Sequence, residues 1–345
     1  MKINSESWTE IVNNIHQGRL FYWGAGKRLS VFLHYAEEDN LNLIPSSIID
    51  NDIIKRYTYR RIGDMEVPVI LWDDVQMQKD ETITVIITLL HYQDVINQLE
   101  LYDNGNIHIL TYEYVLGIHQ KYGIRNKKLL FSIKRTDKPM IPKIIHYFWF
   151  GGKTLPEKNR KYIEGWKEKC PDYEIREWNE YNYDVTKNIF MKQAWESKRW
   201  AFAADYARLD IVYEYGGIYL DTDVEVLKNL DDLLYQEAYL GFEGNLFINT
   251  GLGFGARKNH PLIKGMRDDY DGRCYSEDGT IHNCTYYQTA YLKKYGLITN
   301  GQHQHIGDMT VYPASVLCSC CFWGKIEART PDSYTMHHYD ASWAI

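Results

Sequence analysis

The chain has 345 residues, of which 45% are hydrophobic and 25% are charged, and its formal net charge is -7. This composition excludes a fibrous or wholly disordered chain, and a length above the ~250–300 residues of a single core predicts two domains. The negative charge argues against a nucleic-acid partner, because binding that backbone requires a surplus of Lys and Arg to displace counterions.

The N-terminal segment Met1 to Glu6 does not show the charged-then-apolar pattern of a secretory signal. No apolar run of the sequence approaches the ~18 residues that a membrane span requires. We therefore expect no transmembrane segment and a cytoplasmic protein, either free or peripheral at the inner face of the cell membrane. The cysteines predict reduced core thiols, with a soft-metal site at Cys318 to Cys321 as the alternative.

The first half opens with a helix-like segment, Trp8 to Gln17, which is followed by an apolar strand, Leu20 to Trp23. The strand runs into a turn with Gly24 and Gly26, and such a turn in a doubly wound α/β domain presents backbone N–H groups to a phosphate. Leu29 takes the place of the third glycine of that fingerprint. Strands alternating with helix-length segments predict a parallel sheet, with further strands at 48–50, 67–70 and 84–88.

Two interpretations of this glycine turn stay open. Gly24 and Gly26 either bind a nucleotide cofactor or only shape the strand-to-helix connection. Residues 15–118 loosely resemble the small Rossmann-like domains that accompany polysaccharide-biosynthesis enzymes, which implies a Rossmann-like accessory domain. The charged, proline-containing stretch before Lys143 predicts the boundary, so we expect domains at 1–138 and 139–345.

The second half begins with an apolar strand from Ile144 to Phe150. The most informative stretch lies further on, where a helix over 201–215 leads through two glycines to a short strand ending at Asp221. Asp221 and Asp223 are two residues apart at a strand end, so both carboxylates can converge on one hard cation. Such a cation neutralises the negative charge that builds on a departing diphosphate.

The helix before this acidic turn carries charges on two sides. Helical spacing predicts that Asp210 and Glu214 face solvent, whereas Asp205 and Arg208 face the core. Ionised groups on a core-facing side must be paired or functional. Asp205 and Arg208 therefore form either an internal i,i+3 ion pair or a set of hydrogen bonds to a sugar beside the cation.

These residues carry a resemblance to a known family. The pattern A-A-D-x-x-R followed by Y-x-x-GG-x-Y-L-D-x-D resembles the DXD sugar-binding glycosyltransferases of family 32, with the clostridial glucosylating toxins as more distant relatives. The resemblance covers residues 141–345 and includes Ile141 to His146, Trp149 to Gly152, Trp178-Asn179, Asn249 to Gly251 and His337 to Trp343. It implies a C-terminal GT-A type, nucleotide-sugar-binding mixed sheet in an α/β protein.

The resemblance also implies roles for individual residues. By position, Trp149 stacks on the nucleotide base, Asp205 and Arg208 hold the donor sugar, Asp223 binds metal, Asp221 contacts the ribose, the sugar or the metal shell, Asn249 lies near the anomeric carbon, and His337, Ser342 and Trp343 close over the diphosphate. His337 is also expected to complete the metal shell.

The function implied is a retaining hexosyltransferase that depends on Mn²⁺ or Mg²⁺, with Mn²⁺ favoured. The donor would be a nucleotide sugar, with UDP favoured, and the acceptor an oligosaccharide or polysaccharide, either free or lipid-linked, as in capsular polysaccharide biosynthesis. The alternative is an NAD-dependent or nucleotide-sensing protein built on the N-terminal domain. A silent nucleotide-sugar binding protein and a nucleotidyltransferase are further rivals.

Overall fold

A computed structural model describes residues 2–78, 80–103, 105–126, 136–244, 246–275, 283–321 and 323–340. The chain divides into two compact units, Met1–Asn126 and Lys127–Ile345. The predicted boundary falls later, after residue 138. The backbone N–H groups of Thr136 and Met140 donate to Tyr235 and Leu234, both at 2.9 Å, so the described chain from residue 136 packs on the second unit.

The described part of the first unit alternates strands and helices. Its strands are β1 (Lys2–Ile3), β2 (Arg19–Trp23), β3 (Ser47–Ile49), β4 (Tyr59–Ile62), β5 (Met65–Ile70), β6 (Ile83–Ile87) and β7 (Ile107–Thr111). Its helices are α1 (Trp8–Gln17), α2 (Lys27–Glu38), α3 (Gln93–Glu100) and α4 (Tyr112–Asn126). Helix α1 begins at a capping box, in which Ser7 and Glu10 each accept a backbone N–H of the other.

These strands form one sheet in the order β1-β7-β6-β2-β3-β5-β4. All neighbours are parallel except β4 and β5, which form an antiparallel hairpin at one edge. The central strands β2 and β6 are buried on both faces, which explains their continuous apolar sequence. The predicted parallel, Rossmann-like sheet is confirmed, and the glycine turn follows β2, beside the point where the strand order reverses.

The second unit contains more, shorter strands. The described strands are β8 (Ile144–Phe148), β9 (Glu174–Trp178), β10 (Gly217–Tyr219), β11 (Val224–Val226), β12 (Ala238–Glu243), β13 (Phe247–Ile248), β14 (Phe254–Ala256), β15 (Gln304–Ile306), β16 (Met309–Tyr312), β17 (Cys320–Cys321), β18 (Ile326–Glu327) and β19 (Thr335–His337). The helices are α5 (Glu157–Lys169), α6 (Ile189–Glu196), α7 (Trp200–Tyr215), α8 (Pro261–Asp268), α9 (Cys284–Lys293) and α10 (Ala314–Leu317).

The main sheet of this unit is mixed, as predicted. Its order is β15-β16-β12-β14-β10-β8-β9, with β13 paired to β12. Strands β8, β9 and β10 run parallel to one another, whereas β14 is antiparallel to both β10 and β12. Strands β11 and β19 form a separate antiparallel pair. The predicted α/β class with a mixed sheet is thus confirmed.

Helix α7 is buried on almost every side, which corrects one prediction. Asp210 was expected to face solvent, but it is buried and accepts hydrogen bonds from Tyr183 and Lys187, both at 2.7 Å, and from Arg267 at 3.2 Å. Helices α6 and α8 both pack on α7, and Arg267 belongs to α8. Glu214 lies near the exposed end of the helix, where nearly half of its side chain is accessible. In the described chain, no helix combines the length and apolar character that crossing a membrane requires.

Candidate active site

The acidic turn Asp221 to Asp223 follows β10, at the sheet edge where the parallel strands β8 and β9 also end. Gly216 and Gly217 have φ angles of 67° and 106°, in the region that favours glycine. They end α7 and turn the chain directly into β10. Beyond the turn, Val224 of β11 pairs with His337 of β19. This pairing brings a histidine from a distant part of the sequence to the turn.

Three side chains with metal-ligating atoms meet here, those of Asp221, Asp223 and His337. One such atom of each lies within 4.8 Å of the other two. Nε2 of His337 is 3.3 Å from Oδ1 of Asp223 and 4.0 Å from Oδ2 of Asp221. Carboxylates are the ligands that Mg²⁺ and Mn²⁺ prefer, and an imidazole favours transition metals. The three ligand atoms therefore fit a divalent cation.

The charges of Asp223 and His337 stabilise each other. Burial disfavours the ionised form of Asp223, but the charge and hydrogen bond of His337 outweigh it and lower the pKa of Asp223. Burial likewise disfavours protonated His337, but Asp223 raises its pKa, and Asp221 adds to the effect. A protonated imidazole cannot act as a metal ligand, so cation binding at this group would release a proton.

Asp205 and Arg208 form a buried ion pair next to the turn. They are 5% and 3% exposed, and Nη2 of Arg208 lies 3.1 Å from Oδ1 of Asp205 and 3.5 Å from Oδ1 of Asp221. Burial raises the pKa of Asp205 to about 6, despite the opposing charge of Arg208 and hydrogen bonds from Cys284. The i,i+3 ion pair considered from the sequence is therefore present, and the same guanidinium also faces the acidic turn.

Asp221 is surrounded by Tyr219, Gly251 and Asn249, of which only Asn249 was assigned a role from the sequence. The hydroxyl of Tyr219 donates to Oδ1 of Asp221 at 2.7 Å. A Cβ added at Gly251 would stand 2.3 Å from Oδ2 of Asp221 and 3.2 Å from Nη1 of Arg208, so a side chain cannot be accommodated there without a shift. Oδ1 of Asn249 accepts the N–H of Gly251 at 2.6 Å. Asn249 thus shapes the turn that closes over Asp221.

Glu243 also had no role in the sequence prediction. It ends β12, and its carboxyl group hydrogen-bonds the side chains of Asn249 and Tyr339. Burial raises the pKa of Glu243. The Tyr339 hydroxyl lies 2.8 Å from Sγ of Cys318. Glu243 therefore links Asn249 to the segment after β19. Its closeness to Asn249 in sequence was the only signal, because Glu243 belongs to no pattern of its own.

Helix α5 packs against the acidic turn through two side chains. Nδ2 of the buried Asn159 donates to Oγ1 of Thr222 at 3.2 Å. Further along the same helix, Nε1 of Trp166 donates to the backbone carbonyl of Val224 at 2.8 Å. The two contacts fix the start of α5 relative to the turn.

The remaining predicted donor residues are only partly described. Trp149 directly follows β8 and so lies at the same sheet edge as Asp221. Its ring is partly exposed, and its Nε1 donates to the carbonyl of Lys153 at 2.5 Å. Ser342 and Trp343 lie outside the described residues. Their roles and that of Trp149 stay predictions.

In the glycine turn of the first unit, one backbone N–H group donates a hydrogen bond to a side chain of the same unit. Gly24 has φ 111°, and a Cβ there would meet the Leu89 side chain at 2.7 Å. The N–H of Ala25 donates to Oδ2 of Asp50 at 2.8 Å, and Nζ of Lys55 lies 3.0 Å from the same oxygen. The N–H of Ala25 is therefore already bonded to a side chain of the first unit. Gly26 faces open space. Nucleotide binding by Gly24 and Gly26 stays a prediction.

Residues 156–240 match the protein family described as "Glycosyltransferase sugar-binding region containing DXD motif". An uncharacterised glycosyltransferase of Acanthamoeba polyphaga mimivirus is 29% identical over 220 residues, which are 59% of this chain and 84% of that protein. Inositol phosphoceramide mannosyltransferase 3 of Schizosaccharomyces pombe is 33% identical over 131 residues, which are 36% of this chain and 35% of that protein. The chain thus spans about a third of the length of this yeast relative.

Among solved structures, the PaToxG glycosyltransferase is similar over 51% of this chain and 74% of that chain, with 19% identity and a TM-score of 0.40. The family match contains α5, the Asp205–Arg208 pair and the acidic turn. The chain is therefore a glycosyltransferase, and its residues 156–240 match a sugar-binding region that contains a DXD motif.

Proposed function

We propose that the enzyme transfers a hexose from a nucleoside diphosphate sugar, with UDP as the favoured nucleotide, to an oligosaccharide or polysaccharide acceptor. The observation that carries the proposal is the meeting of Asp221, Asp223 and His337 beside the buried Asp205–Arg208 pair. A cation site and a paired carboxylate and guanidinium can hold the diphosphate and the sugar of one donor. The resemblance to family 32 supports retention of configuration at the anomeric carbon.

Asp221, Asp223 and His337 would hold Mn²⁺ or Mg²⁺, and the bound cation would neutralise charge on the departing diphosphate. Asp205 and Arg208 would hold hydroxyl groups of the donor sugar. Their hydrogen bonds would be strong because both groups are buried and charged.

The remaining roles rest on the resemblance. Trp149 would stack on the base, Asn249 would lie near the anomeric carbon, and Ser342 and Trp343 would close over the diphosphate. In a front-face displacement, the departing phosphate itself takes the proton of the acceptor hydroxyl. Such a reaction asks the protein for positioning and charge stabilisation, which the described residues can supply.

The proposal for the acceptor draws on one relative and on the family resemblance. The yeast relative is named for a mannosyl transfer to inositol phosphoceramide, which supports a lipid-linked acceptor. With such an acceptor we propose a peripheral position at the inner face of the membrane. Capsular polysaccharide synthesis is the process that the family resemblance favours. A mannose donor therefore belongs in the same test as the UDP-linked hexoses.

The test is a donor panel. The full chain is incubated with Mn²⁺ and each of several UDP- and GDP-linked hexoses, and release of free nucleoside diphosphate is measured. We expect release from one donor, loss of release in excess EDTA, and recovery on adding Mn²⁺. Release that is unaffected by EDTA would remove the cation from the proposal. The absence of release from every donor, with and without saccharide acceptors, would remove the donor class.

A further inference from the structure

Lys158 stands in the first turn of α5, close to the proposed cation ligands. Its ammonium group forms an ion pair with Asp340. The backbone N–H of Asp340 in turn donates to Oδ2 of Asp223 at 2.9 Å. Asp340 therefore bridges the Lys158 ammonium group, through its side chain, and the Asp223 carboxylate, through its backbone N–H.

The position of Lys158 is fixed by the fold. Asn159, the next residue, is bonded to Thr222 in the middle of the acidic turn, and Trp166 anchors the same helix to Val224. The Lys158 side chain is long, but its helix cannot move away from the turn without breaking these contacts. The start of α5 also carries the positive end of the helix dipole.

The charges around this place call for a further cation when a donor binds. Asp221, Asp223 and Asp340 already gather here, and a diphosphate adds negative charge. Arg208 is buried between Asp205 and Asp221 and serves the inner side of the turn. On the outer side, the charges of Asp340 and Asp223 both act on Lys158 and raise its pKa, against the effect of partial burial.

The ion pair of Lys158 with Asp340 can be exchanged at little cost. The two side chains are 52% and 28% exposed, and an ion pair with such access to water contributes little to stability. A phosphate oxygen would give Lys158 a charge-assisted bond of at least equal strength.

We propose that Lys158 binds the diphosphate of the donor and that Asp340 occupies its ammonium group only until the donor arrives. This inference rests on the proposed function. Lys158 thereby becomes a donor-binding residue on a helix to which the sequence assigned no role. Asp340 becomes a competitor that the diphosphate displaces.

The test measures binding of UDP, UMP, GDP and GMP to the full chain in Mn²⁺ by titration calorimetry. Lys158→Met is compared with Lys161→Met, a matched control on the same helix whose Nζ lies 3.9 Å from Glu157 and whose side chain is 69% exposed. For the base that the wild type prefers, we expect Lys158→Met to weaken diphosphate binding by roughly tenfold or more. Monophosphate binding should weaken less, and Lys161→Met should bind as the wild type does.

A third variant, Asp340→Asn, separates the inference from a purely structural ion pair. If Asp340 competes with the diphosphate, this variant binds the diphosphate as tightly as the wild type or more tightly. Equal weakening by Lys158→Met and Asp340→Asn would show that the pair is only a tether, and unchanged binding by Lys158→Met would exclude contact with the diphosphate. Either result would leave the proposed function intact. If the wild type binds no nucleoside diphosphate, both fail.

Discussion

Two strand ends of this chain carry turns that the sequence marks as candidate ligand sites, one with Gly24 and Gly26 after β2 and one with Asp221 and Asp223 after β10. Each turn follows the carboxyl end of a buried strand. In the first, the carboxylate of Asp50 accepts the N–H of Ala25 and pairs with Lys55. In the second, two carboxylates and an imidazole face one another across a few ångströms.

The difference shows what separates a turn from a site. At the first turn the protein supplies both the anion and the donors, and the charges cancel within the fold. At the second, the carboxylates of Asp205, Asp221 and Asp223 outnumber the positive charges of Arg208 and protonated His337. One ligand atom each of Asp221, Asp223 and His337 also lies within 4.8 Å of the other two. A ligand site requires charge or bonding capacity that the fold itself has not used.

The largest effect expected from this comparison is at Asp223. Asp223→Asn should lower turnover by more than ~100-fold, since an amide is a poorer ligand for a hard cation and even residues behind the ligands commonly contribute 10–100-fold. Release of nucleoside diphosphate measures turnover, and circular dichroism checks the fold. Near-normal turnover would place the second turn in the same class as the first.

A smaller loss is expected at the buried ion pair. Arg208→Lys keeps the charge but loses the planar fork that reaches both Asp205 and Asp221. We expect turnover to fall roughly 10–100-fold, because one lost charge-assisted contact corresponds to a loss of about that size. Affinity for the sugar-free nucleoside diphosphate should stay within about twofold, because the pair is assigned to the sugar. Asp205→Asn should behave in the same way. If diphosphate affinity falls as far as turnover, the pair supports the turn and does not hold the sugar.

At the first turn, the comparison predicts an effect on stability alone. Asp50→Ala removes the acceptor of the Ala25 N–H, which should lower the free energy of unfolding by about 2 kcal/mol. Turnover of the folded variant should be unchanged, because the first unit is expected to be an accessory module. Urea unfolding and the donor assay give the two values. A folded Asp50→Ala variant with lost turnover would mean that the first turn takes part in the reaction.

The smallest expected effect is the pH dependence of stability. Its sign should differ between Asp205, beside the second turn, and Asp50, which bonds the first turn. Asp205 has a folded pKa of about 6, above the ~3.9 of the unfolded chain, so its contribution to stability is fully present below pH ~3.9 and is lost as pH rises through about 6. Relative to Asp205→Asn, the wild type should gain about 1 kcal/mol of stability between about pH 7.5 and about pH 5 in EDTA.

Asp50 should show the opposite dependence. Burial opposes its ionisation, but the N–H groups of Ala25 and Asp52 and the charge of Lys55 lower its pKa. Its contribution is therefore present above the unfolded value of ~3.9 and is lost as pH falls through the lower folded pKa. Denaturant curves of the wild type, Asp205→Asn and Asp50→Ala from about pH 7.5 down to about pH 3 would reveal both trends. The same sign for both carboxylates would contradict the contrast.

Several elements of the fold and the acidic turn could be predicted from the sequence because they depend on local patterns. Helix α1 begins and ends where its periodicity and flanking residues indicate, and the apolar strands β2 and β6 are where a buried parallel sheet requires them. Asp221 and Asp223 stand out because a strand and an acidic turn follow each other directly.

What could not be predicted depends on packing between distant segments. Asp210 was assigned to the solvent side because helical spacing cannot show that α6 and α8 cover that side of α7. Glu243 and Lys158 carry no pattern, and only the fold brings them near Asn249 and Asp340. His337 was expected at the turn from the family resemblance alone, since its strand pairing joins remote parts of the chain.

The pairing of β11 with β19 has a consequence for how the enzyme is made. Asp223 and Asp340, bonded at this junction, are 117 residues apart in sequence, and contacts of such separation form late because loop closure must precede them. We therefore expect the three ligands to come together only near the end of folding. Mn²⁺ should slow unfolding and leave the refolding rate unchanged, which stopped-flow fluorescence can measure. Scarcity of the ion would then shorten the lifetime of the finished enzyme as well as limit its rate.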